Sequence, residues 1–309
     1  MRLDLQVAQL LNISRAQSSK MIANDQVLVN DSVINKASLQ ITDADVITFH
    51  SAAPTVPSLQ LQIVYQDEYL AIINKGHGQV MHEAPGHPAH TTIAAALQIA
   101  FPHLSDINGS QQPGLVHRLD ADTSGLLIIA FSNHVHQILK DNFAQISRKY
   151  LALVLRKIEA PVTWSNWIGY SNQRAFISKD PLERPAATII PPALKDPSAR
   201  PATTVVASTL KDPSARLATT VVTPLRNYAK YTLVEFTLHT GVQHQLRVQS
   251  SYYGHPIIGD RIYGRKNRIQ GTSQLLHAYK FEFTHPVTQQ PIAIDHTPEW
   301  LDSIHQYIK

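Results

Sequence analysis

Between His117 and Leu126 the chain crowds a histidine, an arginine and two carboxylates into one short turn, then enters the apolar run Leu126-Leu127-Ile128-Ile129-Ala130-Phe131. This juxtaposition limits the fold more than any other segment. A short apolar run bounded by turn residues reads as a buried strand. Charges set beside a buried strand are costly to desolvate unless they are paired. The fold must therefore bring partners to Arg118, Asp120 and Asp122 from elsewhere in the chain. Local physics also permits a plain Asx-type turn, in which Asp120 or Asp122 accepts from backbone amides and Gly125 eases the bend.

The rest of the chain alternates strand and helix patterns. Residues 1–50 form a compact unit: LQVAQLL reads as a short amphipathic helix, Ser14 caps a second helix in SRAQSSKMIAN, and QVLVN and DVITF read as strands, the first ending in the turn-prone Asn30-Asp31-Ser32. SAAPTVPS, residues 51–58, is a linker by its prolines and small residues. Beyond it LQIVY, YLAIINK and RKYLALV read as strands, TTIAAALQIAF and SNHVHQILKDNFAQ as helices, the latter capped by Ser132. YTLVEFTL and LLHAYKFEFTH are further strands, VQHQLRVQSSYYG is helical with Gly254 past its end, and PEWLDSIHQYI closes the chain as a helix. Blocks that begin at Arg184, Arg200 and Arg216 repeat with a spacing of 16 residues. So short a unit cannot stack a core of its own, so a tandem duplication around residues 184–222, inside one loop or hairpin, is expected, with exposed copies and KDPSA as a turn.

With 309 residues the chain can bury one substantial core plus a small extra domain. Its net charge of +4 permits a polyanionic partner without requiring one. It has no cysteine, which excludes disulfides, thiolate catalysis and cysteine–zinc sites. The start MRLDLQVAQLLNISR lacks a signal-peptide core, and no apolar run reaches bilayer-spanning length, so a cytoplasmic location is expected.

HRLDADTSGLLIIA resembles the signature of the RluA-type pseudouridine synthases, HRLD-x-x-TSGL, at every fixed position. Further likeness runs through IVYQDEYLAIINKGHGQVMHEAPG, with Asp67, Asn74, Lys75, Gly78 and His82 in place, and through RKYLALV, TGVQHQLRVQSSYYGHPIIGDRIYG and LLHAYKFEFTHP, so that it covers about residues 59–295. Residues 1–50 resemble the small ribosomal-protein-type RNA-binding domain that many family members carry, through Leu3-Asp4, Ser14-Arg15 and Val27-Leu28-Val29-Asn30. The resemblance implies an α+β chain: a small N-terminal RNA-binding domain, then a catalytic domain over residues 59–309 with a mixed, largely antiparallel central sheet.

The implied reaction isomerises a uridine within RNA to pseudouridine. It involves no redox change or net hydrolysis, so no cofactor is expected. It needs one ionised carboxylate at the sugar–base bond, which can add to the base, attack the anomeric carbon or remove a sugar proton. By the resemblance Asp120 is that carboxylate, Arg247 pairs with it, and Tyr150 packs on the uracil and assists at C5. Arg118 holds the displaced nucleotide or phosphate, Leu246 lends apolar packing, and His117 is a substrate-side residue of the same motif. Three positions depart from the family pattern: Val242 replaces the usual arginine after Thr-Gly, Gln249 the usual histidine after Arg-Val, and Gly76 the usual proline after Asn-Lys. They bear on RNA grip and loop geometry, and leave Asp120, Tyr150 and Arg247 in place.

Arg15 and Lys20, with Arg2, are candidate phosphate contacts of the N-terminal unit; the alternative is a solvated helix face. His82, His87 and His90 with Glu83 invite a metal site, but without a regular ligand spacing no metal is expected. The sequence thus points to an enzyme that forms pseudouridine in structured RNA, large-subunit ribosomal RNA before transfer RNA, acting as a monomer. A non-catalytic RNA-binding or ribosome-assembly factor that kept the fold is the main alternative, and a metal-dependent hydrolase built on the histidine-rich loop a weaker one.

Overall fold

The computed structural model describes residues 1–11, 13–23, 25–42, 44–49, 59–83, 87, 91–109, 111–171, 174–178, 188–189, 214–264 and 273–308, leaving aside the side chains at positions 16, 20, 188 and 189. The expected linker, His90 and most of the repeated blocks lie outside the described residues. Contacts divide the chain into two units, Met1–Pro57 and Ser58–Lys309.

In the first unit two helices, α1 (Leu3–Leu11) and α2 (Arg15–Ala23), accompany a small sheet of β1 (Val27–Val29), β2 (Ser32–Val33) and β3 (Ile47–Phe49) in the order β2-β1-β3. The start of α2 is a capping box: the Ser14 hydroxyl accepts from the Gln17 N–H at 3.3 Å, while Gln17 Oε1 accepts from the Ser14 N–H at 2.9 Å. The hairpin turns on Asn30 and Asp31, both at positive φ (52° and 61°), the twist that a two-residue link between antiparallel strands demands. Leu3, Val7, Ile22, Val27, Val29 and Ile41 make the core.

The second unit is built on one large sheet. Its strands are β4 (Gln62–Gln66), β5 (Leu70–Lys75), β6 (Ser124–Ala130), β7 (Ser147–Leu155), β8 (Val162–Ser171), β9 (Arg174–Ile177), β10 (Thr188–Ile189), β11 (Arg216–Asn227), β12 (Tyr231–Leu238), β13 (Leu276–Thr284) and β14 (Pro291–Asp295). The order is β10-β8-β11-β12-β7-β13-β6-β5-β4, with β14 on β13 and β9 on β8. Among the described residues only β6 and β13 run parallel, so the sheet is mixed and largely antiparallel, as expected. Both faces are covered. Along β5 and β6, Ala71, Ile73, Leu127 and Ile129 enter one core, while Leu70, Ile72, Leu126 and Ile128 enter the other. This accounts for the unbroken apolar runs, since a strand buried on two faces need not alternate.

Four helices attend the sheet: α3 (Ile93–Ala100), α4 (Asn133–Asp141), α5 (Gln245–Tyr252) and α6 (Glu299–Asp302). Thr92 caps α3, and Ser132 caps α4 by accepting from the Val135 N–H at 3.3 Å. Two helices are shorter than their patterns suggest. α5 begins at Gln245 because His244 sits in the left-handed region (φ 56°, ψ 17°). α6 stops after one turn, where the Ser303 hydroxyl donates to the Trp300 carbonyl and competes with the helical ladder. No helix among the described residues is long and apolar enough to cross a membrane. The repeat shows an unexpected role. The last block is a strand of the central sheet, β11, and Thr188–Ile189 of the first block pairs with β8 as well, on its other edge.

Candidate active site

The turn ahead of β6 is held by buried chemistry. Lys75, at the end of β5, is 0% exposed, and its ammonium donates to the carbonyls of Gly76, Ala121 and Thr123 at 3.1, 2.9 and 2.7 Å. Burial pushes its pKa down, against the attraction of Asp120 and Asp122, to about 8. The Thr123 N–H donates to the Asp120 carbonyl at 3.0 Å, which closes the turn. Gly125 then enters β6 at φ +119°, where a Cβ would overlap the backbone of Ala278 on β13, so only glycine lets the two parallel strands meet there.

This turn projects Asp120 into a cleft of about 380 Å³. Arg247, on the first turn of α5, donates through Nη1 to Asp120 Oδ2 at 2.8 Å. His244 Nε2 stands 3.6 Å from the same oxygen. Asp120 Oδ1 has no hydrogen-bond partner among the described residues. Tyr150, Leu246, His117 and Arg118 line the same cleft, so the six residues expected there are brought together. Tyr150 is 8% exposed, and burial pushes its pKa up to about 12, so the phenol stays protonated at neutral pH. The His117 ring packs on Phe143 and Phe281, and its Nε2 accepts from the Ile128 N–H at 3.1 Å. Burial, helped by Arg148, depresses its pKa to about 3, which makes it a neutral wall of the cleft rather than a proton carrier. Arg118 is exposed at the rim.

Sequence reasoning missed Asp260. This buried carboxylate receives Arg247 in bidentate fashion, Nε to Oδ2 at 2.8 Å and Nη2 to Oδ1 at 3.1 Å, and also accepts from the Ile262 and Tyr263 N–H groups at 2.8 and 2.9 Å. Burial alone would raise its pKa, but Arg247 and the two amides outweigh that and hold it below the usual carboxylate range. Burial likewise works against the Arg247 charge, and Asp260 followed by Asp120 overcomes it and raises its pKa. The guanidinium lies over the Tyr263 ring at 5.3 Å, and the Tyr263 hydroxyl bonds to the Ala175 N–H and His244 Nδ1, both at 2.9 Å. An acid following Ile257-Ile258-Gly259 was the available signal, since a carboxylate in so apolar a setting requires a partner.

The departures at Val242 and Gln249 are accommodated. Val242 packs with Ile168, Ala218 and Val248, while its N–H donates to Gln245 Oε1 at 3.0 Å. Gln249 is fully buried with its amide satisfied: it accepts from the Thr220 hydroxyl at 2.7 Å and donates to Asn166 Oδ1 and the Ala218 carbonyl at 3.1 and 3.0 Å.

Outside the cleft, Arg15 donates to Asp4 at 2.9 Å and Arg2 shares that buried carboxylate at 3.0 Å. Two cations on one acid leave a net positive charge at this corner of the N-terminal unit. The side chain of Lys20 lies outside the described residues. Of the three loop histidines, His82 is half-buried, His87 is exposed and His90 is not described, and among the described residues no cluster of three metal-ligating side chains occurs.

A family model described as RNA pseudouridylate synthase matches residues 69–252, and one described as the S4 domain matches residues 1–47. The chain is 32% identical over 289 residues to an RNA pseudouridine synthase of Bacillus subtilis called YlyB, which itself bears the label uncharacterized, covering 91% of this chain and 85% of that protein. It is also 32% identical over 317 residues to ribosomal large subunit pseudouridine synthase D of Zymomonas mobilis, covering 95% of this chain and 89% of the relative. Among solved structures, human RNA pseudouridylate synthase domain containing 1 superposes with a TM-score of 0.56 at 22% identity, over 79% of this chain and 86% of that one, a likeness of fold.

Proposed function

Since the chain belongs to the RNA pseudouridylate synthase family and carries an S4 domain at its start, we propose that Asp120 performs the isomerisation in this cleft and that ribosomal RNA of the large subunit is its substrate. The protein is an RNA pseudouridine synthase. Its reaction breaks the bond from ribose C1′ to uracil N1, turns the base and joins C1′ to C5; the C5 proton is lost and N1 takes one up. The observation that carries the reading is the Asp120–Arg247 pair. Arg247 occupies one carboxylate oxygen at 2.8 Å and leaves the other without a hydrogen-bond partner among the described residues, on a side chain that lines the cleft, where a reacting sugar or base can meet it. Tyr150, kept neutral, offers an aromatic face to a uracil taken out of its stack, and Leu246 packs the same wall. In this reading Arg118, exposed at the cleft, grips the displaced nucleotide, and Arg15 adds phosphate contacts from the N-terminal unit.

The ribosomal substrate is supported by relatives named ribosomal large subunit pseudouridine synthase D, from Zymomonas mobilis and Vibrio parahaemolyticus, and by the S4 domain. A cytoplasmic site of action goes with that substrate. We take the working unit to be a monomer. The deciding experiment is release of tritium from RNA labelled at uridine C5. Wild type releases it and Asp120→Asn does not; equal background from both proteins would return the chain to the non-catalytic, RNA-binding alternative.

A further inference from the structure

The chemistry above leaves one buried charge of the cleft unused. Arg148 precedes Tyr150 by two residues on β7, so both side chains leave the same face of the strand. Arg148 is only 4% exposed. Its Nε donates to the Ile146 carbonyl at 3.3 Å, and its guanidinium carbon lies 4.7 Å from the centroid of the Phe143 ring. It lines the same cleft as Asp120, and its Nη1 reaches Gly241, where a Cβ would come within 2.9 Å of it. No carboxylate among the described residues is within salt-bridge reach of it, whereas Arg247, the other buried arginine of the cleft, has two. Burial already acts against its charge.

A guanidinium does not shed its proton in a protein, so an unpaired one at this depth is expensive unless an anion joins it. Its fork of N–H donors suits the oxygens of a phosphate. Asp120 does not serve as that anion, since its ion-pair partners are Arg247 and His244 and it does not reach Arg148. Arg216, exposed at the start of β11 and also lining the cleft, extends the positive surface outward. We propose that Arg148 seats one backbone phosphate of the RNA, adjacent to the uridine that enters the cleft, and that Gly241 keeps the seat open. The proposal rests on the reading that Asp120 works on an extruded uridine. Docking the phosphate beside Tyr150 would fix how deeply the nucleoside reaches toward Asp120.

Wild type, Arg148→Met and Arg148→Lys are compared on a large-subunit ribosomal RNA transcript, by filter binding over a range of KCl concentrations and by tritium release. Arg148→Met should bind about 10-fold more weakly. Its slope of log affinity against log salt should be shallower by about 0.7, the value for one lost single-strand phosphate contact. Its KM should suffer more than its kcat, and Arg148→Lys should restore the slope. A purely structural role would lower the melting temperature and kcat and leave the slope alone; equal slopes in wild type and a folded Arg148→Met overturn the proposal. Should Arg148→Met fail to fold, the wild type carries the test on a short RNA around the uridine it modifies. A methylphosphonate replacing one of the two phosphates flanking that uridine should weaken binding about 10-fold, and no loss at either position overturns the seat. A wild type that releases no tritium yet keeps the steeper slope would sink the role given to Asp120 or the choice of substrate while sustaining the phosphate seat.

Discussion

Asp120 and Asp260 sit on two sides of one guanidinium and could hardly be treated more differently. Asp260 is sealed in, its side chain 0% exposed, with both oxygens taken by Arg247 and the backbone of Ile262 and Tyr263. Asp120 is 21% exposed, lines the cleft and receives one nitrogen of the same arginine, with its second oxygen unbonded among the described residues. The contrast separates two uses of a carboxylate. One is spent on holding Arg247 in a fixed orientation; the other is left under-bonded, as the reactive role proposed for it requires. Preorganised charge of this sort costs nothing to rearrange at the moment of reaction, because Asp260 has already fixed the arginine that steadies Asp120.

The contrast can be broken by measurement. Asp120→Asn should cut the rate of tritium release more than about 1000-fold, with a melting temperature close to that of wild type; a large fall in stability would make Asp120 another structural acid. Asp260→Asn should do the reverse first. Removing the partner of a buried arginine should cost about 3–5 kcal/mol in denaturant unfolding, with activity falling alongside, and a fully stable variant would mean that Asp120 alone holds Arg247. Lys75→Met tests the support beneath the Asp120 turn and should lower kcat roughly 10- to 100-fold through misplacement. The pH profile of the same variant gives a second reading. The Lys75 pKa is about 8 in the fold against 10.5 as its ordinary value, so between those limits the unfolded chain holds the extra proton. Wild-type stability therefore gains from Lys75, by up to roughly 3 kcal/mol, as pH rises through that window. Equilibrium unfolding of wild type and Lys75→Met at both ends of the window should show the gain only in wild type. Tyr263→Phe should have the smallest effect, about 1 kcal/mol for the bonds its hydroxyl makes, with tritium release little changed; a loss approaching that of Asp120→Asn would move the chemistry toward His244 and Tyr263.

The half of the site that was legible in the sequence is local. His117 to Gly125 announces itself because so many charges precede a buried strand, and the elements around it, β5, β6, β7 and α4, follow their apolar patterns and caps. What stayed hidden depends on distance. Asp260 is one acid among apolar residues and glycines, and its partner Arg247 lies a helix and a turn earlier, so no periodicity links them. Arg148 could have been noticed, since spacing of two in a strand places it beside Tyr150, but its lack of an acid partner is a fact of three dimensions. The start of α5 was misjudged for a related reason: His244, which contacts Tyr263 and Asp120, breaks the helix in the left-handed region, and an apolar pattern does not reveal a backbone break at a single residue.

The pairing of β8 with two copies of the repeated block, one on each edge, carries a consequence for how this chain can change length. Side chains along a strand alternate with a period of two, and the repeat unit is 16 residues, an even number. Gaining or losing a whole unit ahead of β11 therefore preserves which residues face inward, and the ladder of amides and carbonyls is indifferent to the copy that supplies it. Duplication at this border adds chain without inverting the sheet's inner and outer surfaces, whereas an insertion of odd length running on into the same strand would turn its apolar face out to water.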